Sequence, residues 1–164
     1  GRISQAKSTL VKLLQYDPEK SPENVRYHGP PQVMLAYLKY QWSLGEDSKR
    51  REAFIRLQNL AMELSSAPNI QPVTPSSFTN GLNLSVPLLA RVYLNLGSWQ
   101  WSLSPGLVDE SIKDILNAFT KATQYANKWA KAWHKWALFN TAVSLITLKR
   151  FPRCCSSFVL QGYR

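Results

Sequence analysis

Histidine, cysteine and paired carboxylates carry most enzyme chemistry, and in this sequence each lacks the company it would need. His134 stands in Ala132-Trp133-His134-Lys135-Trp136 with no second ligand three or four residues away, and His28 falls beside Pro30 in a turn-rich segment. Cys154 and Cys155 are adjacent. A disulfide between neighbouring cysteines would strain the peptide that joins them, and the pair lacks the spaced partners of a zinc site, so they read as free thiols of a reducing, intracellular compartment. The acidic pairs Glu46-Asp47 and Asp109-Glu110 fall at expected helix starts, where interaction with the helix dipole, worth ~0.3–1 kcal/mol each, accounts for them. The 7 glycines form neither GxGxxG nor GxxxxGK, and the kinase strings Asp-Phe-Gly and His-Arg-Asp do not occur. No catalytic, cofactor-binding or metal-ligating residue is therefore expected, and the chain is not expected to be an enzyme by itself.

The elements that carry these residues have a helical period almost throughout. Ile3, Ala6, Leu10 and Leu14 share one face of a first segment, which Asp17-Pro18 ends. Pro18, Pro22, Gly29 and Pro30 mark a loop over 18–30. Pro31 opens a second helix with Leu35, Leu38 and Trp42 as its stripe, and Gly45 is placed for the left-handed residue after its end. Glu46 and Asp47 favour a third start, followed by Ala53, Leu57, Leu60, Ala61 and Leu64. Residues 65–85, with Pro68, Pro72, Pro75 and Gly81, read as a long surface loop.

Ser85 is the expected cap of a fourth helix, with Leu89, Val92, Tyr93 and Leu96 on one face and Gly97 closing it. Trp99–Leu103 is then expected as a short partner helix. Asp109 is expected to cap a fifth, carrying Ile112, Ile115, Leu116, Phe119 and Ala122. A last helix places Trp129, Trp133 and Trp136 at i, i+4 and i+7, which predicts that all three stack along one side as repeat core. No segment alternates with period two, so the class is all-α.

The bulk numbers fit one domain. The 164 residues are 45% apolar and 12% aromatic, with 18% charged. The longest mostly apolar run, from Ala132 to Leu148, is interrupted by His134, Lys135 and Asn140 and is not a membrane span. The chain begins within an amphipathic pattern, with neither an apolar leader nor an initiator Met, as a piece of a longer protein would. Net charge is +10, from 20 Lys and Arg against 10 Asp and Glu, but the bases look scattered and nucleic acid is not the expected partner.

The helices resemble one another. Leu35-Ala36-Tyr37-Leu38 with Trp42-Ser43-Leu44-Gly45 is echoed by Leu89-Ala90-Arg91-Val92-Tyr93 with Leu96-Gly97, and more weakly by Lys131-Ala132-Trp133. Ala36 and Ala90 lie 54 residues apart, Ala90 and Ala132 42 apart. Such spacing, about 34 to 47 residues once the loop is allowed for, predicts an α-solenoid of TPR- and HEAT-like helical hairpins. Small residues let helices approach and large aromatic ones fill the groove beside them. The packing signature is Ala90, Tyr93, Trp129, Ala132, Trp133, His134 and Trp136.

Two strings carry a resemblance: Val86-Pro87-Leu88-Leu89-Ala90-Arg91-Val92-Tyr93-Leu94 and Lys128-Trp129-Ala130-Lys131-Ala132-Trp133-His134-Lys135-Trp136-Ala137-Leu138-Phe139-Asn140. With Ser4-Gln5-Ala6-Lys7 and Tyr27-His28-Gly29-Pro30-Pro31 they resemble the FAT domain of target-of-rapamycin (TOR) type serine/threonine protein kinases, in a plant-like form. The resemblance covers roughly residues 1–143 and implies an α-solenoid wrapping a kinase domain. That domain lies downstream in the family, so no ATP-binding or catalytic residue carries over. Residues 144–164 depart from the family pattern and form a basic tail, expected to be poorly ordered and to reflect a shifted frame, a retained intron or a degenerate gene copy.

The resemblance implies a non-catalytic helical scaffold of nutrient and growth signalling, meeting the kinase domain of its own polypeptide and the regulatory subunits of a TOR-type complex. Its location would be cytoplasmic, with the nucleus as a second site. The residues alone leave a second reading open, a free-standing helical-repeat adaptor that binds a peptide or nucleic acid through a basic, Trp-rich surface.

Overall fold

The computed structural model describes residues 2–14, 30–66 and 86–150. Among them are six helices and no strand: α1 (Arg2–Leu14), α2 (Pro31–Ser43), α3 (Asp47–Ser66), α4 (Leu88–Leu103), α5 (Asp109–Tyr125) and α6 (Ala130–Arg150). Each packs on the next in sequence, and α4 also meets α6. The class is all-α, as the period predicted, and the order of packing is that of stacked helical hairpins.

Local chemistry accounts for most boundaries. Pro31 occupies the first turn of α2, where its missing N–H costs nothing. After Ser43 the chain turns through Gly45 at φ +83°, and the Gly45 N–H donates to the Trp42 carbonyl at 3.3 Å. A side chain at that φ meets its own carbonyl, so Gly45→Ala is expected to lower stability by about 1–2 kcal/mol. Urea unfolding of the two chains measures it, and an unchanged midpoint would count against the turn. Most of the stripes expected on α2 and α3 is buried: Leu35, Leu38, Ala53, Leu57, Leu60 and Ala61 are in the core, with Trp42 and Leu64 half-buried against it. The side chains of Ile3, Ala6 and Leu14 lie outside the described residues, whereas Leu10 packs against the core.

Five expectations are corrected. The long loop does not start at 65: Ser65 and Ser66 complete α3, and their hydroxyls donate to the carbonyls of Ala61 and Met62 at 2.7 and 2.9 Å. The rest of that loop, Ser85 included, and residues 18–29 lie outside the described residues. Helix α4 begins at Leu88 behind Pro87, with no side-chain cap. Gly97 does not close it: α4 runs unbroken to Leu103 and takes in the expected partner helix. Its glycine serves close approach instead, since a Cβ there would lie 2.9 Å from the Phe119 ring. Finally, Val108 holds the cap position of α5, and Asp109 is its first helical residue, where the carboxylate still favours the dipole. The boundary expected between Val143 and Ser144 falls inside α6.

Candidate functional site

Aromatic rungs join alternate helices. Trp42 of α2 stacks on Trp99 of α4, with ring centres 4.5 Å apart and planes 2° from parallel. One repeat further, Trp101 of α4 meets Phe139 of α6 edge to face at 5.0 Å. Phe139 also touches Phe119 of α5 at 5.8 Å, so one ring binds three helices. Such pairs add about 0.5–1.5 kcal/mol beyond their area, and they resist sliding because ring faces and edges must stay matched. Tyr93 stacks on Tyr125 at 5.8 Å, and its hydroxyl lies 2.9 Å from that of Ser65, which joins α3, α4 and α5. Cations cover two of these rings: Arg50 over Trp42 at 5.5 Å and Lys121 over Tyr93 at 5.0 Å.

The residues singled out by sequence divide between this framework and the surface. Ala90, Tyr93 and Ala132 are buried, the two alanines completely. Ala36, the third member of the echo, is exposed and does not share their register. Trp129 and Trp136 are half-buried against the core. Trp133 is not stacked beside them in the core. It is 46% exposed, meets Trp136 edge to face at 6.0 Å, and donates its indole N–H to the Asn127 carbonyl at 2.7 Å. His134 is exposed. The core line of α6 is Ala132 and Phe139, flanked by Trp136, Val143 and Ile146. Phe139 was quoted in sequence only within a string; its position seven residues after Ala132 was the available signal.

The surface has two features. Leu138, Leu145 and Leu148 are exposed together along α6. Charge, moreover, is not scattered: α1, α2, α4 and α6 contain no Asp or Glu at all. The acids among the described residues, Glu46, Asp47, Glu52, Glu63, Asp109, Glu110 and Asp114, all belong to α3, α5 or the turn before α3. Several are engaged there, Glu52 with Arg56 at 2.6 Å and with the buried Gln41 at 3.0 Å, and Glu46 with Lys49 at 3.2 Å.

Among the described residues no three His, Cys, Asp or Glu come together as metal ligands, and no helix is long and apolar enough to cross a membrane. What the arrangement can do is hold shape and present surface.

Residues 1–146 match the sequence profile of the family described as FAT domain. A protein of Arabidopsis thaliana named serine/threonine-protein kinase TOR is 67% identical over 143 residues, which is 87% of this chain and 6% of that protein. The rice protein of the same name is 56% identical over 161 residues, 98% of this chain and again 6% of the relative. Serine/threonine-protein kinase TOR2 of Saccharomyces cerevisiae is 31% identical over 154 residues, with 90% of this chain covered. The chain thus spans about one-sixteenth of the length of the relatives it matches.

Proposed function

The chain belongs to the FAT domain family, and from that premise we propose that it positions the catalytic part of a TOR-type serine/threonine protein kinase. It is a helical scaffold region and not a kinase domain. The observation that carries the proposal is the series of aromatic rungs, Trp42 on Trp99 and Trp101 on Phe139, which makes a stack of hairpins stiff enough to hold a neighbouring domain at a fixed distance. The exposed leucines of α6 supply an apolar face on which further protein packs. The partners proposed are the kinase domain of the same polypeptide and the regulatory subunits of its complex, in the cytoplasm and the nucleus.

The test is a chimera. This chain replaces the matching segment of the full-length Arabidopsis relative, and kinase activity is measured with and without Phe139→Ala. Activity is expected to survive the exchange and to fall when α6 is loosened, in step with loss of the bound regulatory subunits. Activity indifferent to Phe139→Ala, in a protein shown by limited proteolysis to have loosened there, would remove the positioning role.

A further inference from the structure

Three cations of the described residues stand on helices that offer them no acid of their own. Lys39 of α2, Arg91 of α4 and Lys131 of α6 are exposed on three helices that contain no acid. These helices adjoin one another, through the Trp42–Trp99 stack and the Trp101–Phe139 contact. Partial burial, and then the nearby charges of Arg91 and Lys131, hold the Lys39 ammonium below its ordinary value. The three side chains therefore share one region of electrostatic potential. Two are also placed against their own helices: Arg91 and Lys131 fall in the first turns of α4 and α6, where the positive end of the dipole disfavours a cation. Local energetics opposes this arrangement at three points, the usual mark of a surface kept for recognition.

We propose that Lys39, Arg91 and Lys131 form a docking ridge for an acidic, extended peptide segment of a partner protein. Helices that touch lie ~8–10 Å apart, which sets the smallest spacing expected between cations carried by successive layers. A chain in the extended polyproline II form rises ~3.1 Å per residue with three residues per turn, so it brings carboxylates to one face, about 9 Å apart, at every third position. A nucleic acid strand fits less well, because it carries a charge every ~3.4 Å and would leave most phosphates without a cation. It would also want exposed rings for its bases. The exposed Trp133 is tethered through its indole N–H to Asn127.

The experiment uses the 164-residue chain and a fluorescein-labelled peptide of Glu-Gly-Ser repeats, followed by anisotropy. The ridge variant Lys39→Gln/Arg91→Gln/Lys131→Gln is compared with Lys49→Gln/Arg51→Gln/Lys113→Gln, which removes equal charge from α3 and α5. The ridge variant is expected to bind about tenfold more weakly, the control no more than about twofold, since three direct ion pairs are lost in one and only long-range attraction in the other. Relief of the like-charge crowding should leave the ridge variant melting no lower than the original chain. Equal weakening by both variants would overturn the ridge. So would failure of the original chain to prefer the glutamate peptide over its glutamine counterpart, or tighter binding of an oligonucleotide of the same charge. Because this binding is read on the chain alone, it can stand or fall separately from the kinase-positioning role.

Discussion

Phe139→Ala is expected to cost about 3–5 kcal/mol, the range for emptying a fully buried aromatic site. Phe139 has no solvent exposure and touches Trp101 and Phe119, so its removal leaves a void shared by α4, α5 and α6. The void cannot close easily, since Trp101 is carried by α4 and Phe119 by α5, and the two helices are locked by their own long interface. In a stack where each helix rests on its neighbours, the damage should be local. Amide exchange should therefore accelerate along α6 while α2 and α3 keep their protection. Uniform acceleration through all helices would mean that the stack unfolds as one unit, and a loss below about 1 kcal/mol would mean that Phe139 is not the ring that joins them.

What could be read from the sequence follows the range of the interaction responsible. Pro31, Gly45 and the Glu46-Asp47 pair act within a turn of themselves, and the helix ends beside them, the start and end of α2 and the start of α3, fall where those residues predicted. The stripes of α2, α3 and α5 were legible for the same reason, because a period of 3.6 needs only the residues of one helix. Trp133 shows where the period misleads. Each residue advances about 100° around a helix, so Trp133 stands roughly that far from Ala132, which the structure places at the centre of the buried face. Counting only tryptophans put the centre between Trp129 and Trp136 and drew Trp133 into it. Small and merely large residues, Ala132 and Phe139, defined the line instead. The charge pattern was equally hidden. Bases that look scattered along the chain become a ridge once alternate helices are known to be neighbours, and that adjacency is a property of the stack, not of any single segment.

Gly97→Val is expected to cost about 3 kcal/mol, and the reason is the same feature that defeated the reading of Gly97 as a stop. In isolation a glycine after a helical run marks an end, because it alone takes the left-handed conformation freely. Gly97 instead lies within α4, and its lack of a side chain is what lets the Phe119 ring reach the helix backbone. A Cβ would meet two ring carbons at 2.9 Å and a third at 3.2 Å. Phe119 has no exposed surface to move into and leans on Phe139, so the ring cannot simply swing aside. The gain in helix propensity from replacing glycine, at most ~1 kcal/mol, is the smaller effect. A double-mutant cycle separates the causes. If the clash with Phe119 dominates, Gly97→Val in a Phe119→Leu background should cost at least about 1 kcal/mol less than in the original chain. Strict additivity would place the penalty elsewhere, in the χ1 restriction of valine or in the stacking of Trp99 two residues on. Gly97→Ala sharpens the comparison, since alanine has the best helix propensity of all residues yet introduces the same colliding atom. Its destabilisation would set packing against propensity within a single methyl group.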